Sequence, residues 1–201
     1  RLGRVEEAFA CHGRAVDRAP EMAEAQANLA MHWARRQRPA EAIAAYRQAI
    51  RIDPALPTAH YNLSLLLLEQ GELRPGWAEH DWRFDTPQFG DQKRRFAARP
   101  WRGENVASAR LLVWREQGVG DEILFASCYP DLLRRAGHLV VECDRRLVSL
   151  FARSLPGATV RPPTVEPRDV DVQVAAASLP RFLRSDRKRF PARPWLVPDP
   201  G

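Results

Sequence analysis

Residues 39–54, PAEAIAAYRQAIRIDP, restate residues 5–20, VEEAFACHGRAVDRAP, 34 positions earlier. Ala8, Ala15 and Pro20 return as Ala42, Ala49 and Pro54. The dipeptide Asn28-Leu29 returns as Asn62-Leu63, and Gly3 returns two periods later as Gly71. Small residues, a helix-stopping proline and a turn glycine therefore share one period, which marks a repeated supersecondary unit.

A 34-residue period is the tetratricopeptide spacing, in which each unit is a pair of amphipathic helices that bury their apolar faces only by stacking on neighbours. In the middle unit the pattern predicts a first helix over 23–36, with Ala25, Leu29 and Trp33 on its inner face. The second runs over 39–52, with Pro39 in the first turn and Ala42, Tyr46 and Ala49 turned to the neighbour. Small residues at 8, 15, 42 and 49 let helices approach closely, and Pro20 and Pro54 end the second helices. The third unit, Pro57–Phe84, keeps Leu63, Gly71 and Gly76. It departs at Arg83, where a packing alanine belongs, and at Gln88, where the closing proline is expected; Pro87 comes one residue early. The repeats are thus expected to end here on an atypical helix, 76–84, with Trp77 and Trp82 on two faces. The chain opens inside a unit without an initiator methionine and reads as a fragment.

The totals narrow the function classes. Of 201 residues, 31 are Lys or Arg and 25 are Asp or Glu, a formal net charge of +6. All but two of the basic residues are arginine, a skew of codon usage in GC-rich genomes, and they are interspersed with acids and form no stripe with aromatic stacking positions. No nucleic-acid partner is expected, and the dense run RSDRKR at 184–189 reads as solvated surface. No apolar run approaches the ~20 residues of a membrane span. Cys11, Cys128 and Cys143 lack metal-ligand spacing and read as reduced core residues, so no metal site and a cytoplasmic setting are expected.

From 86 to 108 the chain is rich in Pro, Gly, Arg and Gln, a linker or wrapping loop. Beyond it strands and helices alternate: a buried strand at 110–115 (RLLVWR), a helix over 122–136 interrupted by Pro130 and ended by Gly137, and a strand at 138–143. A helix at 145–154 and strands at 158–161 and 169–174 follow. That order predicts a parallel, Rossmann-like layer. The expected organisation is α followed by α/β: repeats over 1–84, a linker over 85–108, and a partial Rossmann-like half over 109–201.

In an open parallel sheet, ligands bind beyond the carboxyl ends of the strands. Here that loop is Glu116-Gln117-Gly118-Val119-Gly120-Asp121. Its glycines permit close backbone approach, and the following helix offers free amides. The dinucleotide fingerprint fails because Ile123 stands where a third glycine is needed, and the Walker pattern fails for want of Lys-Ser/Thr. A nucleotide-dependent oxidoreductase is therefore disfavoured. Asp121 has two readings: the N-cap of the helix, or a carboxylate aimed into a cleft and able to accept a proton from a sugar hydroxyl.

With these residues stated, the chain resembles bacterial tetratricopeptide proteins fused to a heptosyltransferase-like glycosyltransferase of the GT-B fold. The resemblance rests on the repeats, on Gly76-Trp77 to Trp82-Arg83, on Pro100-Trp101-Arg102-Gly103-Glu104, on the 116–121 loop and on Pro194-Trp195-Leu196. It implies that Asp121 is the general base toward the acceptor, with Glu116, Gln117, Gly118 and Gly120 forming the acceptor loop. It also implies that a nucleotide-sugar donor binds a carboxy-terminal half not included in this sequence, and that this piece alone is catalytically incomplete. No tightly bound cofactor is implied. The plan is similar to that of O-linked N-acetylglucosamine transferase, whose repeats hold peptide with an asparagine ladder. By that likeness Asn28 and Asn62 would line a groove for a protein partner. Trp77, Trp82 and Trp101 read as core and junction residues. The alternative is a non-enzymatic interaction module whose α/β part only caps the repeats.

Overall fold

The computed structural model describes residues 11–199. Gly3 and Ala8, which carry the start of the echo, lie outside the described residues. The chain divides into two compact units, with the division between Asp91 and Gln92.

The first unit is helical. Helix α1 is described from 11 to 18, followed by α2 (Ala23–Arg35), α3 (Pro39–Ile52), α4 (Pro57–Glu69) and α5 (Leu73–His80). Pro39 and Pro57 open their helices, where a missing amide donor costs nothing. The 34-residue period reappears in how α2 and α4 stop. The Arg38 amide donates to the Trp33 carbonyl at 3.0 Å, and the Glu72 amide to the Leu67 carbonyl at 2.8 Å. Both are Schellman closures, which place the intervening residue in the left-handed region. Gly71 is there at φ 79°, and so is Gln37 at 58°, without glycine's freedom.

Ala30, Tyr46, Ala49, Ala59, Leu63 and Leu67 form the core of this unit. Alanines dominate because the helices touch closely. A Cβ on Gly76 would lie 2.8 Å from the Leu68 side chain. The α2 face is rotated from expectation: Ala25 is buried, whereas Leu29 and Trp33 are only half-buried. Alanine occupies the contact line, and the larger groups fill the rim, where the Arg38 guanidinium lies over the Trp33 ring.

After α5 the helix tightens into a 3-10 turn at Asp81–Asp85. Arg83, at the packing-alanine position, is 0% exposed. Its Nη1 donates to the His80 carbonyl at 3.1 Å and to Asp81 Oδ1 at 3.2 Å, and its guanidinium stacks on Phe84. The arginine is folded onto its own turn, so it offers no small-residue surface to another helix. Trp77 and Trp82 do take different neighbours: Trp82 stacks on His60 at 4.1 Å, and Trp77 meets His80 edge-on.

The second unit is a five-stranded, all-parallel sheet in the order β1-β5-β2-β3-β4. Its strands are β1 (Arg99–Pro100), β2 (Val106–Trp114), β3 (Ala136–Glu142), β4 (Thr159–Arg161) and β5 (Val172–Ala175). The helices are α6 (Val119–Ala126), α7 (Tyr129–Leu133), α8 (Val148–Ser154) and α9 (Leu179–Leu183). Two strands begin inside the stretch 85–108. The single helix expected over 122–136 is two, broken ahead of Pro130, whose ring cannot occupy a helix interior. Gly137 does not end a helix; it lies in β3, where a Cβ would come within 2.7 Å of the Ala107 carbonyl of β2. Cys128 and Cys143 are buried, but Cys11 is exposed, contrary to its reading as a core residue.

Candidate functional site

The sheet order places β3 and β4 on one side of β2 and β5 on the other. The chain thus reverses its direction of travel at the β2/β5 junction, where open parallel sheets form crevices beyond the strand carboxyl ends. Trp114 and Ala175 are in register there. The loops that follow them are fastened together, since the Ala177 amide donates to the buried Glu116 carboxylate at 2.9 Å. One oxygen of Glu116 therefore serves to hold two loops side by side.

Neither Gly118 nor Gly120 is left-handed; Gln117 is, at φ 60°. Its amide donates to Gln92 Oε1 at 2.9 Å, and its buried Nε2 has no partner among the described residues. Gly118 is the N-cap of α6, so Asp121 is not the cap but the third helical residue. Asp121 Oδ2 accepts the Gly118 amide at 3.1 Å, which satisfies one of the orphan donors at the helix start and holds the carboxylate over the first turn. Oδ1 has no hydrogen-bond partner among the described residues, and the side chain is partly accessible. Gly120 is open: a Cβ there would meet nothing within 4 Å. What the loop offers is a fixed carboxylate with one available oxygen beside an uncluttered backbone.

Buried carboxylates that the sequence reading missed support this loop. Glu122 is 1% exposed; its Oε1 accepts Arg115 Nε at 2.7 Å and its Oε2 accepts the Asp144 amide at 2.8 Å. One side chain thereby joins the ends of β2 and β3 to α6. Side-chain and then backbone hydrogen bonds from Arg146 hold Asp144 down at about 2. Glu142, 0% exposed, accepts from Arg94 Nη1 and from the Thr164 amide at 3.0 Å. The signal in the sequence was a lone acid inside an apolar strand, HLVVEC, which demands a partner if buried. The partner, Arg94, is 48 residues away. Burial, above all, pushes the Cys143 thiol up to about 12 and the Cys128 thiol to about 11, so both stay protonated and unreactive.

In the repeats, Met31, Ala34, Arg35, Tyr46, Asn62, Leu65 and Leu66 line a groove of about 290 Å³. Asn62 lies in it and hydrogen-bonds the Tyr46 hydroxyl, whose pKa desolvation raises to about 12. Asn28 is half-buried one period earlier on α2 and does not line that groove. Among the described residues no group of three or more His, Cys, Asp or Glu is placed to hold a metal, and no helix is long and apolar enough to cross a membrane.

Residues 35–71 match the TPR repeat family model. They span α3 and α4 with the left-handed turns at 37 and 71. Over 166 residues the chain is 30% identical to Protein FlbA of Caulobacter vibrioides, taking in 73% of this chain but only 28% of that protein. A mutant O-GlcNAc transferase of Thermobaculum terrenum superimposes with a TM-score of 0.37 at 17% identity, covering 82% of this chain and 39% of that one. That overlap is too loose to speak to activity.

Proposed function

We propose that this chain is the repeat and acceptor-side portion of a glycosyltransferase that uses a nucleotide sugar. The repeats bring a protein partner through the groove at Asn62, and the crevice at the β2/β5 junction holds the acceptor sugar or hydroxyl. The observation that carries the reading is Asp121: one carboxylate oxygen is tethered to the Gly118 amide, while the other is available at the carboxyl end of the central strand. A tethered carboxylate is positioned to accept a hydroxyl proton, a contribution of about 10²–10⁴-fold in rate for general bases. The second reading, a non-enzymatic interaction module, draws support from the Glu116 to Ala177 hydrogen bond, which draws the two crevice loops together.

The test is incorporation of radiolabelled sugar by the full-length protein, from a panel of nucleotide sugars, into lysate of cells lacking it. Asp121→Asn should lose transfer by about 100-fold or more while donor binding and thermal stability hold. Transfer at undiminished rate would remove Asp121 from the mechanism. No transfer by the wild-type protein with any donor would favour the interaction module.

A further inference from the structure

The end of the sheet opposite the Asp121 loop is basic, and its cations are held out from the fold. Residues 92–201 contain 20 of the 31 basic residues but 12 of the 25 acidic ones. Many of these arginines are matched by an acid, as in Arg94 with Glu142, Arg115 with Glu122 and Arg161 with Asp169, while Arg95, Arg102 and Arg145 have no ion-pair partner among the described residues. Arg187, Lys188, Arg189 and Arg193 are likewise unmatched. These four cations fall within seven residues and have no ion-pair partner among the described residues. Asp186, the acid among them, accepts the Lys188 amide at 2.8 Å and so caps the 3-10 turn that carries them.

The segment is exposed continuously from 186 to 194, yet both of its ends are fastened. At one end Arg184, 2% exposed, donates to Asp131 Oδ2 at 2.7 Å and to the Ser127 carbonyl. At the other, Trp195 packs against Phe151 at 5.9 Å, and the Val197 amide donates to Ser154 Oγ. The cations are therefore displayed on a strap anchored at both ends. Phe190 stands among them, 43% exposed.

The same corner holds a cleft of about 340 Å³ lined by Trp101, Gly103, Val106, Arg134 and Arg135, at the amino-terminal start of β2. Asp131 joins cleft and strap, since its two oxygens take Arg134 and Arg184. Arg135 is exposed and has no ion-pair partner among the described residues. Glu104, on the cleft wall, is already paired with Arg99.

We infer that this edge, Arg187–Arg193 with Arg135, is a docking surface for an anionic phospholipid membrane. Cations clustered around an exposed aromatic fit a lipid interface: phosphate and serine headgroups meet the charges, and the ring enters the interfacial layer. Single-stranded nucleic acid would instead be met by successive aromatic platforms along a groove, and the strap has one ring. Docking here would leave the Asp121 loop roughly 25 Å away along β2. The inference stands independently of any role for Asp121.

The test is co-sedimentation of the purified chain with vesicles of phosphatidylcholine alone and of phosphatidylcholine with phosphatidylserine, at low and high sodium chloride. Binding should require phosphatidylserine and fall with salt. Reversing Arg187, Lys188 and Arg189 to Glu should weaken it roughly 100-fold or more, since each cation near such a surface is worth about a factor of five. Phe190→Ala should weaken it about tenfold while leaving the salt dependence unchanged. These positions are exposed, so an unaltered melting temperature checks that the variants fold. Equal binding to both vesicle types, no binding to either, or an unchanged charge-reversal variant would overturn the inference. So would release from anionic vesicles by a single-stranded RNA at concentrations where free phosphate has no effect.

Discussion

The repeat unit is held by alanine, and the α/β unit by buried carboxylates. In the first, Ala30, Ala42, Ala49 and Ala59 are wholly buried, and stability comes from helices brought close along a periodic line. In the second, Glu116, Glu122 and Glu142 are buried at the carboxyl ends of the strands, each tied to a group distant in sequence. In one unit the close contacts recur along a line of small residues. The other has single points on which several segments depend.

The sharpest way to break that contrast is Glu142→Ala. Removing it leaves Arg94 facing a buried site without its carboxylate and frees the Thr164 amide, and loss of one partner of a buried pair costs about 3–5 kcal/mol. Urea unfolding of the chain should show the α/β transition moving far to lower denaturant with the repeat transition in place. A loss under about 1 kcal/mol would mean the carboxylate is not the tie it resembles. In the repeats the matching change adds volume: Ala42→Leu, at 0% exposure, should cost about 1–3 kcal/mol through overpacking. The same experiment reads it in the other transition.

A third change separates the units by pH. His80 is held down at about 3, first by burial and then by the Arg83 charge. Its folded pKa lies below its unfolded value of about 6.5, so the unfolded chain binds the extra proton. The stability of the neutral ring is complete above pH 6.5 and declines as pH falls toward 3, by about 1.4 kcal/mol per unit where His80 dominates. His80→Asn should flatten that slope in the repeat transition and leave the α/β transition unchanged. An identical pH profile in both proteins would exclude His80 as the source.

The smallest effect compares two glutamines. Gln37 and Gln117 are both left-handed, a conformation in which glycine is relieved by about 1 kcal/mol. Gln37→Gly and Gln117→Gly should each raise the melting temperature slightly. Only the second should alter transfer by the full-length protein, because it is the one that lies in the Asp121 loop. Destabilisation by Gln117→Gly would show that its side chain is structural.

Legibility in the sequence followed the same division. The helix pairs were readable because Ala42, Ala49, Pro54 and Gly71 repeat locally, and a period can be counted without knowing the fold. The parallel strands were readable as apolar runs separated by helical stretches. The roles of Glu122 and Glu142 were hidden, since an ion pair joining residues 94 and 142 leaves no spacing to recognise. Gly137 was misread for a related reason. A glycine that ends a helix and one that admits a neighbouring carbonyl look alike until the strand beside it is known. Of the candidate loop, the cap read at Asp121 lies at Gly118, and the left-handed Gln117 left no signal, because a non-glycine residue at positive φ looks like any other loop residue in the sequence.

The buried arginine that closes the repeats also bears on how such an array could grow. Tandem duplication lengthens a solenoid wherever each new copy finds a surface of small side chains on the one before. Copies inserted ahead of α2 would find it. A copy spliced in after Phe84 would meet Arg83 turned back upon His80 and Asp81, and would gain a stacking surface only if that arginine reverted to alanine. Engineers extending this array should therefore add consensus units upstream and leave the 81–85 turn as the terminus.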